Sequence, residues 1–161
     1  MTRRIFTVTV LLATLFTIWR FWPSDERRIR QLVQGMASAV TAVTGETDMT
    51  HLGRLAPLAR GLATDVVVEG PWLAIGREQV MAAAAQMGRM APQLSIVVRN
   101  VEVTVDPTRT AAKALVTVAI TGATSATADR WNDISELQLD LTRHDDIWLV
   151  TRVAPVVVVQ K

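Results

Sequence analysis

The chain has 161 residues, half of them hydrophobic, which supplies enough apolar material for a packed core and excludes a disordered chain. It carries 17 basic and 15 acidic residues, and with no cysteine it excludes disulfides, thiol nucleophiles and cysteine metal sites. Arg3, Arg4 and Arg20 lie in an apolar leader; without them 14 basic residues face 15 acidic ones, spread singly, and the pattern speaks against nucleic acid.

Residues 5–22 (IFTVTVLLATLFTIWRFW) are almost wholly apolar, preceded by Arg3-Arg4 and closed by aromatics around Arg20. As a helix they reach roughly 27 Å, just short of a hydrocarbon core. Trp19-Arg20-Phe21-Trp22-Pro23 lacks the small residues of a cleavage site and reads as an interfacial belt with a snorkelling arginine. The expectation is an uncleaved, single-pass signal anchor over residues 1–23. Arg3-Arg4 favour a cytoplasmic N-terminus, although Arg27, Arg28 and Arg30 weaken the bias; residues 24–161 are then one domain outside the cytoplasm.

Ser24 is a candidate N-cap with Asp25 and Glu26 in the first turn. Ile29, Leu32, Val33, Met36, Ala37, Val40 and Val43 then recur at spacings of three and four, predicting an amphipathic helix to about Thr44, stopped by Gly45. A second helix is predicted over residues 50–62, kinked or split by Pro57. Asp65–Glu69 reads as a short strand ended by Gly70-Pro71, and Gly76 opens a third helix closing before Pro92. Four strand-like runs follow, at residues 94–105, 110–122, 130–142 and 147–159, separated by turn-like segments. Helices first and a meander afterwards predict an α+β domain with a mostly antiparallel sheet.

Residues 62–71 (LATDVVVEGP), followed by Ile75-Gly76-Arg77-Glu78-Gln79-Val80 and the closing Ile147-Trp148-Leu149-Val150-Thr151-Arg152-Val153, resemble the nuclear transport factor 2-like superfamily, which includes ketosteroid isomerase, SnoaL-type cyclases and scytalone dehydratase. The resemblance covers nearly all of the chain from Ser24 onward. It implies a cystatin-like cone: three helices on a curved sheet, with an apolar cavity at the wide end. It also allows isomerase roles to be tested. The position of the isomerase base, just before the proline of the turn, is Gly70; the chain has no tyrosine for the oxyanion hole, and Leu137 stands at the place of its protonated Asp. The isomerase activity is therefore not expected.

The two histidines divide. His144 lies in a turn beside Asp145-Asp146, where a solvated role suffices, whereas His51 starts the second helix and is the candidate for a dehydratase-like pair with Asp133 or Asp65. Two separated histidines argue against a metal, and no cofactor is implied. Period-two alternation puts Trp131, Asp133, Ser135, Leu137, Leu139 and Leu141 on one face of their strand, and Trp148, Val150 and Arg152 on one face of the last. Arg152 is thus expected to meet Asp133, with Arg99 nearby, as the polar tip of a pocket lined by Met36, Val40, Trp72 and Trp131. The competing reading is an ion pair over a filled core. Val156 to Val159 would need covering if they lay at a sheet edge, and Ala82 to Ala85 give the third helix a smooth surface; both are compatible with a protein partner or homodimer and with ordinary packing.

Two functions remain in view. The first is a non-catalytic, membrane-anchored domain that serves as an assembly part or binds a small apolar ligand, as anchored members of the resembled superfamily do in secretion and lipid-import complexes. The second is a SnoaL-like lyase, cyclase or dehydratase using His51 and Asp133.

Overall fold

The computed structural model describes residues 24–41, 45, 47–70, 74–90, 94–123 and 130–156. The chain order is α1 (Asp25–Val40), α2 (Asp48–Arg54), α3 (Ala56–Gly61), β1 (Leu62–Glu69), β2 (Ala74–Gly76), α4 (Arg77–Met90), β3 (Ser95–Val105), β4 (Ala111–Ala123), β5 (Arg130–His144) and β6 (Ile147–Pro155). No helix among the described residues is long and apolar enough to cross a membrane, and the predicted span at residues 5–22 lies outside them.

Ser24 caps α1 as predicted, its hydroxyl accepting from the Arg27 N–H at 3.4 Å. Ile29, Val33, Met36 and Ala39 form the buried stripe of α1, spaced to keep one face on the core. The helix ends at Val40, earlier than Gly45, because Thr41 turns extended and spends its hydroxyl on strand β3. That hydroxyl accepts from the Ile96 N–H and lies 3.2 Å from the Ile96 and Ala37 carbonyls. The predicted second helix is two helices, α2 and α3, broken at Leu55 with Pro57 in the first turn of α3, where a missing N–H is harmless.

Six strands form one sheet in the order β2-β1-β6-β5-β4-β3, antiparallel throughout except for β1 beside β6. Strand β6 is therefore interior, which agrees with the alternative of a centrally placed last strand as far as Pro155; Val157 to Val159 lie outside the described residues. The short β2 is absent from the sequence-based reading. The long edge belongs to β3, and it is blunted: Thr41 occupies Ile96, the Arg30 Nε donates to the Val101 carbonyl at 3.2 Å, and a bulge falls between Val98 and Asn100.

The core lies between α1 and the concave face. Ala112, Ala114, Val116 and Val118 of β4 face it alternately, and the small residues at its narrow end admit Ile29 and Trp148, which are 0% and 3% exposed. At Gly61 a Cβ would stand 2.7 Å from Met36 Sδ and 2.9 Å from Leu32 Cδ1, so α3 packs on α1 with these two side chains directly against the glycine, and a larger residue would require them to shift. Gly76 begins α4 with its N–H donating to Gln79 Oε1 at 3.0 Å, the one half of a capping box that a glycine can make, which accounts for the glycine-to-glutamine spacing of that motif.

The hairpin turns are tight. Asp145 and Asp146 take φ of 46° and 65° between paired His144 and Ile147, as a two-residue turn matching strand twist requires. In the β3–β4 turn the Asp106 carboxylate accepts from the Thr108 hydroxyl and from the N–H groups of Thr110 and Ala111 at 2.9 and 3.1 Å. These bonds, that of Thr108 foremost, hold its carboxyl below the ordinary value of 3.8. A depressed folded value means that the turn's stabilisation is present above 3.8 and fades as pH falls through the folded value. A carboxyl-detected NMR titration should give Asp106 a midpoint under 3.8, and Thr108→Ala should move it upward; a midpoint at 3.8 or above would show the turn bonds to be absent in solution.

Candidate functional site

Of the residues expected to gather at the wide mouth of the cone, the structure brings few together. Met36 is buried in the core and Val40 packs against it, so these two fill the cone where a pocket lining was expected. Trp72 lies outside the described residues, as does the side chain of Trp131, whose backbone pairs with Gly122.

Asp133 faces the same side of β5 as Leu137, Leu139 and Leu141 but beyond the cover of the helices. It is exposed, with the Ser135 hydroxyl donating to it at 3.1 Å. Arg152 does not meet it. Cross-strand register sets Arg152 opposite Asp140, and seven residues separate Asp140 from Asp133, roughly 23 Å along a strand. The face is different too. Register shifts between Asp140 and Leu141, so Thr151 is an extra residue in β6; Val150 stays inside while Arg152 turns to the convex side. There its Nε donates to Glu69 Oε1 at 2.8 Å, and Asp140 stands 3.5 Å from Nη1. The Glu69 bond and charge, then Asp140, push the Arg152 guanidinium further toward its charged form.

Arg99 is the bulge residue of β3, exposed beside Arg30 and Asn100 in a shallow recess of about 240 Å³. Strands β4 and β5 separate it from Arg152, a span of roughly 14 Å at the usual strand spacing. The expected polar tip of Arg99, Asp133 and Arg152 is therefore three separate places.

His51 of α2 is the one buried polar side chain of the described core, 9% exposed. Its Nε2 lies 3.2 Å from the Ala84 carbonyl of α4, which only an N–H can satisfy. Its Nδ1 then accepts from Arg54 Nη2 at 3.2 Å. Arg54 in turn donates to the carbonyls of Thr41 and Ser38, closing the C-terminus of α1. The pair thus ties three helices together, while Asp133 sits on β5 with a different partner. His144 is exposed in its turn with Nε2 3.4 Å from Asp145, as expected. Among the described residues no three His, Asp or Glu side chains gather as a metal site requires.

A charged cluster missed in the sequence lies at the opposite end of the cone. The buried indole of Trp148 donates through Nε1 to Asp25 Oδ1 at 3.3 Å. Arg143 reaches the same carboxylate at 3.5 Å and Asp146 at 2.6 Å, with Arg109 standing 4.0 Å from Asp25. Beside them opens a cleft of about 910 Å³ between the start of α1 and the two hairpin turns. Asp25 looks in sequence like an ordinary first-turn acid. Its partners come from residues more than eighty positions away, which no local pattern reveals.

No family model matches the chain, and no curated protein matches it. Solved structures do. A scytalone dehydratase-like protein of Novosphingobium aromaticivorans is 16% identical over 80% of each chain, with a TM-score of 0.65. A nuclear transport factor 2-like protein with a cystatin-like fold from the same organism is 17% identical over 95% of this chain and 91% of that one, with a TM-score of 0.64. A hexachlorocyclohexane dehydrochlorinase, LinA type 2, is 12% identical over 80% of this chain and 82% of that one, with a TM-score of 0.63. At these identities the likeness shows the fold: a cystatin-like, nuclear transport factor 2-like α+β domain on a curved mixed sheet.

Proposed function

We propose that the chain is a membrane-anchored, non-catalytic module, held in the bilayer by residues 5–22 and presenting its cone domain outside the cytoplasm as an assembly part for a protein partner. The carrying observation is the commitment of both His51 ring nitrogens to helix packing, with Asp133 left exposed on another element. An acid-base pair needs one group touching the next and both touching a substrate. Filling of the cone by Val33 and Met36 favours assembly over uptake of an apolar ligand at that place. On the convex face Val97 and Ile134, 45% and 66% exposed, flank Ala119 in cross-strand register, an apolar row suited to a protein contact.

A lyase or dehydratase using His51 and Asp133 is the second reading, favoured by the fold shared with a dehydratase-like protein and a dehydrochlorinase. One experiment separates them. Membranes bearing the full chain are washed with carbonate and incubated with a metabolite extract. The chain should stay in the pellet, deletion of residues 1–23 should release it folded, and no metabolite should be consumed. Consumption that disappears in Asp133→Asn would replace the proposal with the lyase. A full chain recovered in the wash would remove the anchor.

A further inference from the structure

The cleft at the start of α1 is charged with an even balance of sign. Asp106 is spent within its own turn. The other six ionisable groups lining the cleft are the guanidiniums of Arg28, Arg109 and Arg143 and the carboxylates of Asp25, Glu26 and Asp146. The Ser24 hydroxyl and the backbone N–H at the helix start keep the Glu26 carboxyl below its usual range, so it is charged at neutral pH. Arg143 is saturated by Asp25 and Asp146, whereas Arg109 is 73% exposed and only 4.0 Å from Asp25. Arg28 makes no ion pair or side-chain hydrogen bond among the described residues.

A wholly anionic ligand would meet three carboxylates here, and a wholly cationic one three guanidiniums. A ligand with both signs a few ångströms apart satisfies both sets. The cationic end is a primary ammonium rather than a quaternary one: its three N–H donors suit carboxylates, and among the described residues no aromatic side chain lines the cleft to receive a choline-like group. Position identifies the source. Ser24 lines the cleft and stands two residues after Trp22, the end of the predicted span, so on the anchored reading the cleft opens at the bilayer surface.

We propose that this cleft binds the zwitterionic phosphoethanolamine headgroup of a membrane phospholipid, its phosphate on Arg28 and Arg109 and its ammonium on the Glu26 side; the choice of a lipid source rests on the membrane-anchored reading.

The test uses the full chain in detergent micelles, titrated with short-chain phosphatidylethanolamine, phosphatidylcholine and phosphatidylglycerol and with water-soluble glycerophosphoethanolamine, bound lipid being read by native mass spectrometry. Phosphatidylethanolamine should bind at least tenfold more tightly than the other three. The double variant Arg28→Gln/Arg109→Asn should lose at least tenfold with its melting temperature unchanged; asparagine suits the φ of 57° at Arg109, so folding is preserved. Equal binding of all three lipids, or undiminished binding by the double variant, overturns the site. Binding of glycerophosphoethanolamine as tight as the lipid overturns the lipid source. Carbonate extraction of the same chain reports the anchor separately: a chain that is anchored without headgroup preference sinks the site alone.

Discussion

Trp148→Ala should lower the unfolding free energy by about 3–5 kcal/mol, the range for removing a buried aromatic side chain. The indole is 3% exposed, belongs to the same buried cluster as Ile29, Ala112 and Ala114, and bonds the start of α1 through Asp25. Trp148→Phe keeps most of the volume and removes the donor, leaving Asp25 with Arg143 and Arg109; it should cost about 1–2 kcal/mol. Urea unfolding followed by far-UV circular dichroism reads both. A loss below 1 kcal/mol for the alanine variant would mean that the indole faces solvent, and the packing of α1 on β6 would be wrong.

His51→Leu should cost about 2–4 kcal/mol, because it removes the buried hydrogen bond that joins α2 to the Ala84 carbonyl of α4 and takes the acceptor from Arg54. The measurement distinguishes structure from catalysis. A histidine kept for proton transfer is replaceable with little loss of stability and complete loss of turnover. One that ties α2 to α4 shows the reverse. Thermal melting of the variant against the parent chain decides it, and an unchanged melting temperature would return His51 to the active-site candidates.

Much of the fold was legible in the residues. The spacing of Ile29, Val33 and Met36 predicts α1 and its buried face, Ser24 predicts its start, and Pro57 the break between α2 and α3. Period-two alternation identifies the inward leucines of β5. These features were readable because each arises within a few bonds of backbone, where propensity and hydrophobic period act together. The candidate site was much less legible. Arg152 was placed on the wrong face because a single extra residue, Thr151, inverts the alternation, and no side-chain type announces a bulge. The short β2 escaped notice because three residues hold too little pattern, and its pairing with β1 supplies the definition.

Composition and periodicity alone pointed to an α+β chain with helices ahead of a meander and showed that it has no cysteine for a disulfide and no tyrosine; that Gly70 and Leu137 stand where an isomerase has its acids is what the resemblance implies. Burial of apolar periods and the chemistry of individual side chains are properties of the chain itself. What His51 and Asp25 do was decided only in three dimensions. A hydrogen bond or ion pair acts over a few ångströms, and folding brought Ala84 to His51, and Trp148 and Arg143 to Asp25, across distances in sequence that carry no local signature.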